Sequence, residues 1–172
     1  TFYTNAGVNH NKAQVRITGQ GLATQVKAAV AFTTMISVTV DYAKFDHFWL
    51  HGNDLATNGI VATVGSDITW VEWMLVQSFA TGGIALDLED DSTISHCIIR
   101  VSPTGIRVSD DCLIESTEIG WATGIATGIV TNGSSVRILG CHIWEPTTAC
   151  IQVNFGDVEI ADQVKEDVAT AL

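Results

Sequence analysis

Gly82-Gly-Ile-Ala-Leu-Asp-Leu-Glu-Asp-Asp-Ser-Thr-Ile-Ser-His-Cys-Ile-Ile99 holds one turn of a repeat that runs through most of the chain. Its opening, a small residue followed by Gly and Ile, recurs as Asn58-Gly59-Ile60, Thr104-Gly105-Ile106 and Thr127-Gly128-Ile129. A degenerate copy stands at Ala149-Cys150-Ile151. Successive isoleucines are 24, 22, 23 and 22 residues apart. A second series, Phe45, Trp70, Ile94, Ile114, Ile138 and Ile160, runs in phase with the first. Three residues beyond its members come Phe48, Trp73, Cys97, Thr117, Cys141 and Gln163; five beyond come Leu50, Leu75, Ile99, Ile119, Ile143 and Lys165. Such phasing is the mark of a repeat architecture.

The segments between these marks are too short for helices. After Gly-Ile comes a strand-like stretch (Ile84-Ala-Leu-Asp-Leu), then a polar turn (Glu89-Asp-Asp-Ser), then a β-branched stretch kinked after two or three residues (Thr93-Ile-Ser-His-Cys-Ile-Ile). Three short strands and three turns in roughly 23 residues make one rung of a solenoid. Stacked about 4.8 Å apart, such rungs form parallel sheets whose inward residues build ladders of like on like. No rung buries its apolar face alone, so about six or seven must stand together. Phe48 and Trp73 share one ladder position, which predicts a core role for both.

The pattern resembles the right-handed parallel β-helix of the pectate-lyase-like superfamily, which includes polysaccharide lyases, polygalacturonases and phage tailspikes. Val15-Arg-Ile-Thr-Gly-Gln-Gly-Leu-Ala-Thr24 is similar to the V-x-I-x-G-x-G-x-x-T opening of such domains, and Thr1-Phe-Tyr to the tail of their P-G-x-Y strand. The latter, with the lack of an initial Met, leads one to expect further sequence before Thr1. The resemblance implies an all-β fold over residues 1–160, with 22–24 residues per rung. Beyond it, Val164, Val168 and Leu172 stand near helical spacing, which predicts a short capping or junction helix over 161–172.

Composition narrows the function classes. Of 172 residues 47% are apolar, enough for a sizeable core, and 15 glycines against two prolines suit glycine-made turns. Eight Lys+Arg against 19 Asp+Glu give a net charge of −11, which argues against a nucleic-acid partner. No apolar run reaches the roughly 18–20 residues needed to span a bilayer, so membrane insertion is not expected. The four cysteines have no zinc-type spacing. Cys97 and Cys141 hold equivalent positions two rungs apart, on the order of 9–10 Å, beyond disulfide reach. They read as small core residues. No metal or other cofactor is expected.

With each Gly-Ile isoleucine inward, the positions one and three later face outward: Val61/Thr63, Ala85/Asp87, Arg107/Ser109, Val130/Asn132 and Gln152/Asn154. Arg107, Ser109, Asn132, Gln152 and Asn154 would form a flat polar row suited to sugar hydroxyls. In polygalacturonase-like relatives the sugar groove lies along this strand and its following turn. Asp87, with Asp110 or Asp111, would then be acid and base, since adjacent rungs supply the 5–9.5 Å that paired carboxylates need. The alternative is that the acidic turns are solvated and that Asp87 forms a surface ion pair with Arg107. The polygalacturonase and pectate-lyase catalytic signatures are absent.

Phe45-Asp-His-Phe48 resembles the I-D-H-C kink of pectate lyases, and His47, Glu72 and His96 are expected to stack at one corner. Val71, Met74 and Val76 fall on the expected outer face, as do apolar residues between Val26 and Val40, which points to a subunit contact and a homotrimer, with a loop folded back over the sheet as the alternative. The reading that follows is a tailspike-like or fibre protein, extracellular or on a virion, that recognises host surface polysaccharide with or without depolymerising it. A non-catalytic shaft segment and a secreted polysaccharide lyase or hydrolase are the alternatives.

Overall fold

A computed structural model describes residues 1–120 and 125–161, and the main chain of 165–167. It is a parallel β-solenoid of about six turns, with one strand of each coil in each of three sheets. The first sheet stacks eight strands: Phe2–Thr4, Gln25–Ala28, Trp49–His51, Leu75–Gln77, Ile98–Arg100, Glu118–Ile119, His142–Trp144 and Lys165–Asp167. The second stacks seven: Val8–His10, Phe32–Val38, Ala56–Ala62, Ile84–Leu88, Thr104–Val108, Thr127–Thr131 and Ala149–Val153. The third also stacks seven: Arg16–Thr18, Ala43–Asp46, Thr69–Glu72, Thr93–Ser95, Leu113–Glu115, Val136–Leu139 and Val158–Ala161.

Three columns of inward side chains fill the bore. One runs Ile36, Ile60, Leu86, Ile106, Ile129, Ile151. Another runs Phe45, Val71, Ile94, Ile114, Ile138, Ile160. The third runs Leu50, Val76, Ile99, Ile119, Ile143. β-Branched side chains suit this arrangement, because a pleated strand in a parallel stack sets like side chains directly over one another.

All three columns differ from the expected ones, and every difference concerns the coil between Ile60 and Leu86. Leu86 takes the place assigned to Ile84, which instead pairs with Thr104. Val71, Met74 and Val76 take the places assigned to Trp70, Trp73 and Leu75. The cause is a longer turn, Thr63 to Ile68, which stretches the spacing from Phe45 to Val71 to 26 residues. A one-residue slip exchanges the two faces of a strand. Val71, Met74 and Val76 are therefore fully buried, and the subunit contact inferred from their outward placement lapses. Between residues 26 and 40, Ala28, Met35, Ile36 and Val38 likewise belong to the core.

The recurring glycine has a close-packing cause. A Cβ on Gly59 would lie 2.2 Å from the carbonyl oxygen of Ala85, and one on Gly128 would lie 2.6 Å from that of Cys150. In the stretched coil Ala85 fills this position, buried at the corner and not outward as expected.

Most corners turn on a residue in the left-handed region, with φ between +45° and +63° at the non-glycine positions. Gln14, Tyr42, Ile68, Asp91, Asp111 and Ser135 lead from the second sheet to the third. His47, Trp73, His96 and Ser116 lead from the third to the first. Asp54, Ser78, Val101 and Glu145 lead back to the second. At the C-terminal end Val158–Ala161 and Lys165–Asp167 are strands, so the coil continues where a helix was expected. Residues 162–164 and 168–172 of that expectation lie outside the described residues.

None of the four cysteines is in a disulfide, and all are buried. Burial pushes the Cys97 and Cys112 thiols up to about 12. Cys97, Thr117 and Cys141 share one ladder position, and each donates to the carbonyl oxygen two residues back.

Candidate functional site

The outer face of the second sheet carries two rows. The first runs Ser37, Val61, Asp87, Arg107, Val130, Gln152. The second, two residues further along each strand, runs Thr63, Glu89, Ser109, Asn132, Asn154. Five of the sequence-predicted residues, Arg107, Ser109, Asn132, Gln152 and Asn154, thus share one face with Asp87. Asn154 Nδ2 donates to Asn132 Oδ1 at 2.7 Å, and Gln152 Nε2 donates to Asn154 Oδ1 at 2.8 Å. Side-chain amides stacked this way leave further donors and acceptors at the outer rim.

Arg107 meets Asp87 in a two-bond fork, with Nε donating to Oδ1 at 2.6 Å and Nη2 to Oδ2. The ion-pair alternative is therefore realised, and an acid–base role for Asp87 requires its carboxylate to leave that fork. Arg107 is 41% exposed, so the pair adds only about 0–1 kcal/mol to stability. Asp110 and Asp111 sit at the next corner. The Asp110 carboxylate accepts from the main-chain N–H of Ser134, and Asp90 does the same for the N–H of Asp110 at 3.1 Å. One rung pair lower, Asp41 accepts from the N–H of Asp67 at 3.0 Å. The carboxylates at this corner thus hold main-chain donors of the next coil.

Glu89 was read as a turn residue, yet it belongs to the outer row. It accepts from Ser109 Oγ at 3.2 Å. Burial raises its pKa; the Ser109 hydrogen bond opposes that, and Asp90, Asp87 and Asp67 reinforce it. Asp67 is raised by burial and by Asp90, Asp41 and Asp91. Among the described residues no three His, Cys, Asp or Glu side chains converge as a metal site would need.

The opposite corner of the third sheet is aromatic. His47, Trp73 and His96 stack, with centroids 6.3 Å apart for the first pair and 4.2 Å for the second. Glu72, expected in this stack, instead binds Lys44 at 2.7 Å. Trp73 is 52% exposed, not a core residue as predicted, because Met74 occupies its ladder position. Below the stack lies fully buried Asp46, which accepts from Arg16 Nη2 at 2.9 Å and from Thr18 Oγ1, with His47 Nδ1 at 2.9 Å. Burial alone would raise this carboxyl; the hydrogen bonds from Arg16, Thr18 and His47 outweigh it and hold the carboxyl well below the usual carboxylate range.

Compared with known proteins, the chain matches no family model, no curated protein and no solved structure. Its functional reading therefore starts from the chain's own faces.

Proposed function

We propose that this β-solenoid is a glycan-recognising protein of the pectate-lyase-like kind, serving in a phage tailspike or appendage and binding host surface polysaccharide along the outer face of its second sheet. The observation that carries this reading is the polar face formed by Arg107, Ser109, Asn132, Gln152 and Asn154, in which Asn132, Asn154 and Gln152 hold one another and Arg107 is held by Asp87. Preordered planar donors and acceptors match vicinal hydroxyls with little conformational entropy to lose on binding. The test is calorimetric titration with capsular and O-antigen polysaccharides. Asn132→Ala combined with Asn154→Ala should weaken binding roughly tenfold, the loss expected of one or two hydrogen bonds. Absence of binding across a broad panel would leave the shaft reading in its place.

Cleavage is a second reading, favoured by Glu89. A half-buried carboxyl with a raised pKa, beside an ion-paired Asp87, has the character of a general acid. Polymer length measured by size exclusion tests it: shortening by the wild type that Glu89→Gln abolishes supports cleavage, and unchanged length rejects it.

A further inference from the structure

Two of the chain's asparagines precede a glycine, Asn58-Gly59 and Asn132-Gly133, and the other five precede residues that bear a Cβ. The fold treats the two pairs in opposite ways. Asn58 lies inside the strand Ala56–Ala62, which is paired on both sides and sets Asn58 beside Thr34. Its Oδ1 accepts from the main-chain N–H of Ile84 at 3.1 Å, and Gly59 packs against the carbonyl oxygen of Ala85. Side chain and main chain are both held there.

Asn132 stands one residue past the strand Thr127–Thr131 and is exposed. Its N–H donates to the carbonyl oxygen of Val108 at 2.9 Å, and the N–H of Ser134 donates to the Asp110 carboxylate. Between these two, the Gly133 N–H has no acceptor among the described residues. Asn132 Oδ1 accepts from Asn154 Nδ2 at 2.7 Å, which draws electron density from the side-chain carbonyl carbon. A Cβ at Gly133 would lie 2.4 Å from both N and Oδ1 of Asp110, so the preceding coil admits only glycine here. Packing therefore dictates the one residue that leaves its nitrogen unshielded beside the Asn132 side chain.

We infer that Asn132 is a site of spontaneous covalent modification, at which water converts the amide to aspartate and isoaspartate. The Gly133 nitrogen gives its proton to water or hydroxide and attacks Cγ of Asn132. A five-membered imide closes as the bond from Cγ to the side-chain nitrogen breaks, and that nitrogen leaves as ammonia. Water then opens the ring at either imide carbonyl. Breaking the bond to Cγ gives aspartate; breaking the bond to the main-chain carbonyl carbon gives isoaspartate, whose chain runs on through Cβ and Cγ. One water enters, one ammonia departs, and nothing is oxidised or reduced.

Either product places a carboxylate in the amide row beside Asn154. Isoaspartate also lengthens the main chain by one carbon between two fixed points, the acceptors on Val108 and Asp110. The last coil, where the Asn154 N–H donates to the carbonyl oxygen of Thr131 at 2.9 Å, then loosens. This chemistry is independent of what the face binds.

Peptide masses from native protein aged at mildly alkaline pH test the assignment. The Asn132 peptide should gain about one dalton and separate into two products on chromatography. The Asn58 peptide should react at least roughly tenfold more slowly, because its strand must first open. In urea the two rates should converge. Asn132→Gln, an exposed change that would need a larger ring to cyclise, should leave its peptide mass constant. Amide hydrogen exchange over Ala149–Val153 should rise in the isoaspartyl fraction and stay level in Asn132→Asp, which keeps the main chain. An unchanged mass at Asn132 overturns the assignment, as does native Asn58 reacting equally fast or a rate gap that persists undiminished in urea. Unchanged exchange in the isoaspartyl fraction overturns the loosening of the last coil.

Discussion

The two corners that flank the third sheet solve one backbone problem with opposite chemistry. Both need a left-handed residue in every coil. Between the second and third sheets, the later coils use Asp91, Asp111 and Ser135, short polar side chains for which that conformation is inexpensive. Between the third and first sheets, three consecutive coils use His47, Trp73 and His96, whose rings then stack on one another. The acids differ as well. At the polar corner, carboxylates crowd one another and hold main-chain N–H groups; at the aromatic corner a single buried carboxylate holds Arg16, Thr18 and His47. A repeat therefore dictates where the chain bends while leaving each bend free to carry its own charge and surface.

Substitution of the buried apolar residue next to the stack should have the largest effect. Met74→Ala is expected to cost about 2–5 kcal/mol, the range for truncating a filled core position. Trp73→Asn should change stability by less than about 1 kcal/mol, since relief of strain offsets the lost ring contacts. Urea midpoints decide, and the reverse order would restore Trp73 to the core ladder. At the next level, Asp46→Ala should cost about 2–3 kcal/mol by leaving Arg16 and Thr18 without their acceptor. Asp110→Ala should cost about 1 kcal/mol, because water reaches the exposed N–H of Ser134.

Acid titration of stability separates the corners by sign. Asp46 has a depressed folded pKa, so its contribution is present above the unfolded value of about 4 and is lost as pH falls below it. Asp67 and Glu89 have raised folded values, so they oppose folding once ionised and that opposition fades as pH falls toward about 4. Asp46→Asn should flatten the loss of stability below pH 4, and Asp67→Asn with Glu89→Gln should flatten the gain on approaching it. The smallest effect is expected at the half-exposed Lys44–Glu72 pair, where Lys44→Gln should cost under about 1 kcal/mol.

The period, the three-strand coil, the parallel stacking and the columns through Ile94, Ile114, Ile138 and Ile106, Ile129, Ile151 were all legible before any coordinates. In those coils the turn from the second sheet to the third keeps nearly one length, eight residues from Ile106 to Ile114 and nine from Ile129 to Ile138, so residue class and residue position agree. The longer turn from Thr63 to Ile68 broke that agreement, and Trp70-Val71 offered two adjacent apolar candidates for one inward place. Ile84 and Leu86 posed the same difficulty two residues apart; the alternation Leu86-x-Leu88, matching Ile106-x-Val108, was the available clue. At the C-terminal end, polar side chains and helical spacing suggested a helix, yet main-chain pairing to His142–Trp144 asks nothing of side-chain identity. Glu89 was missed because an acidic run reads as turn, although its first member still lies on the strand's outer row.

The four cysteines fall in four successive coils, Cys97, Cys112, Cys141 and Cys150, each shut away from solvent. A thiol so placed meets an alkylating reagent only when its own coil opens. The chain thus carries a built-in clock for fraying: labelling rates compared across the four sites would report how far, and from which end, the stack unzips before it melts as a whole.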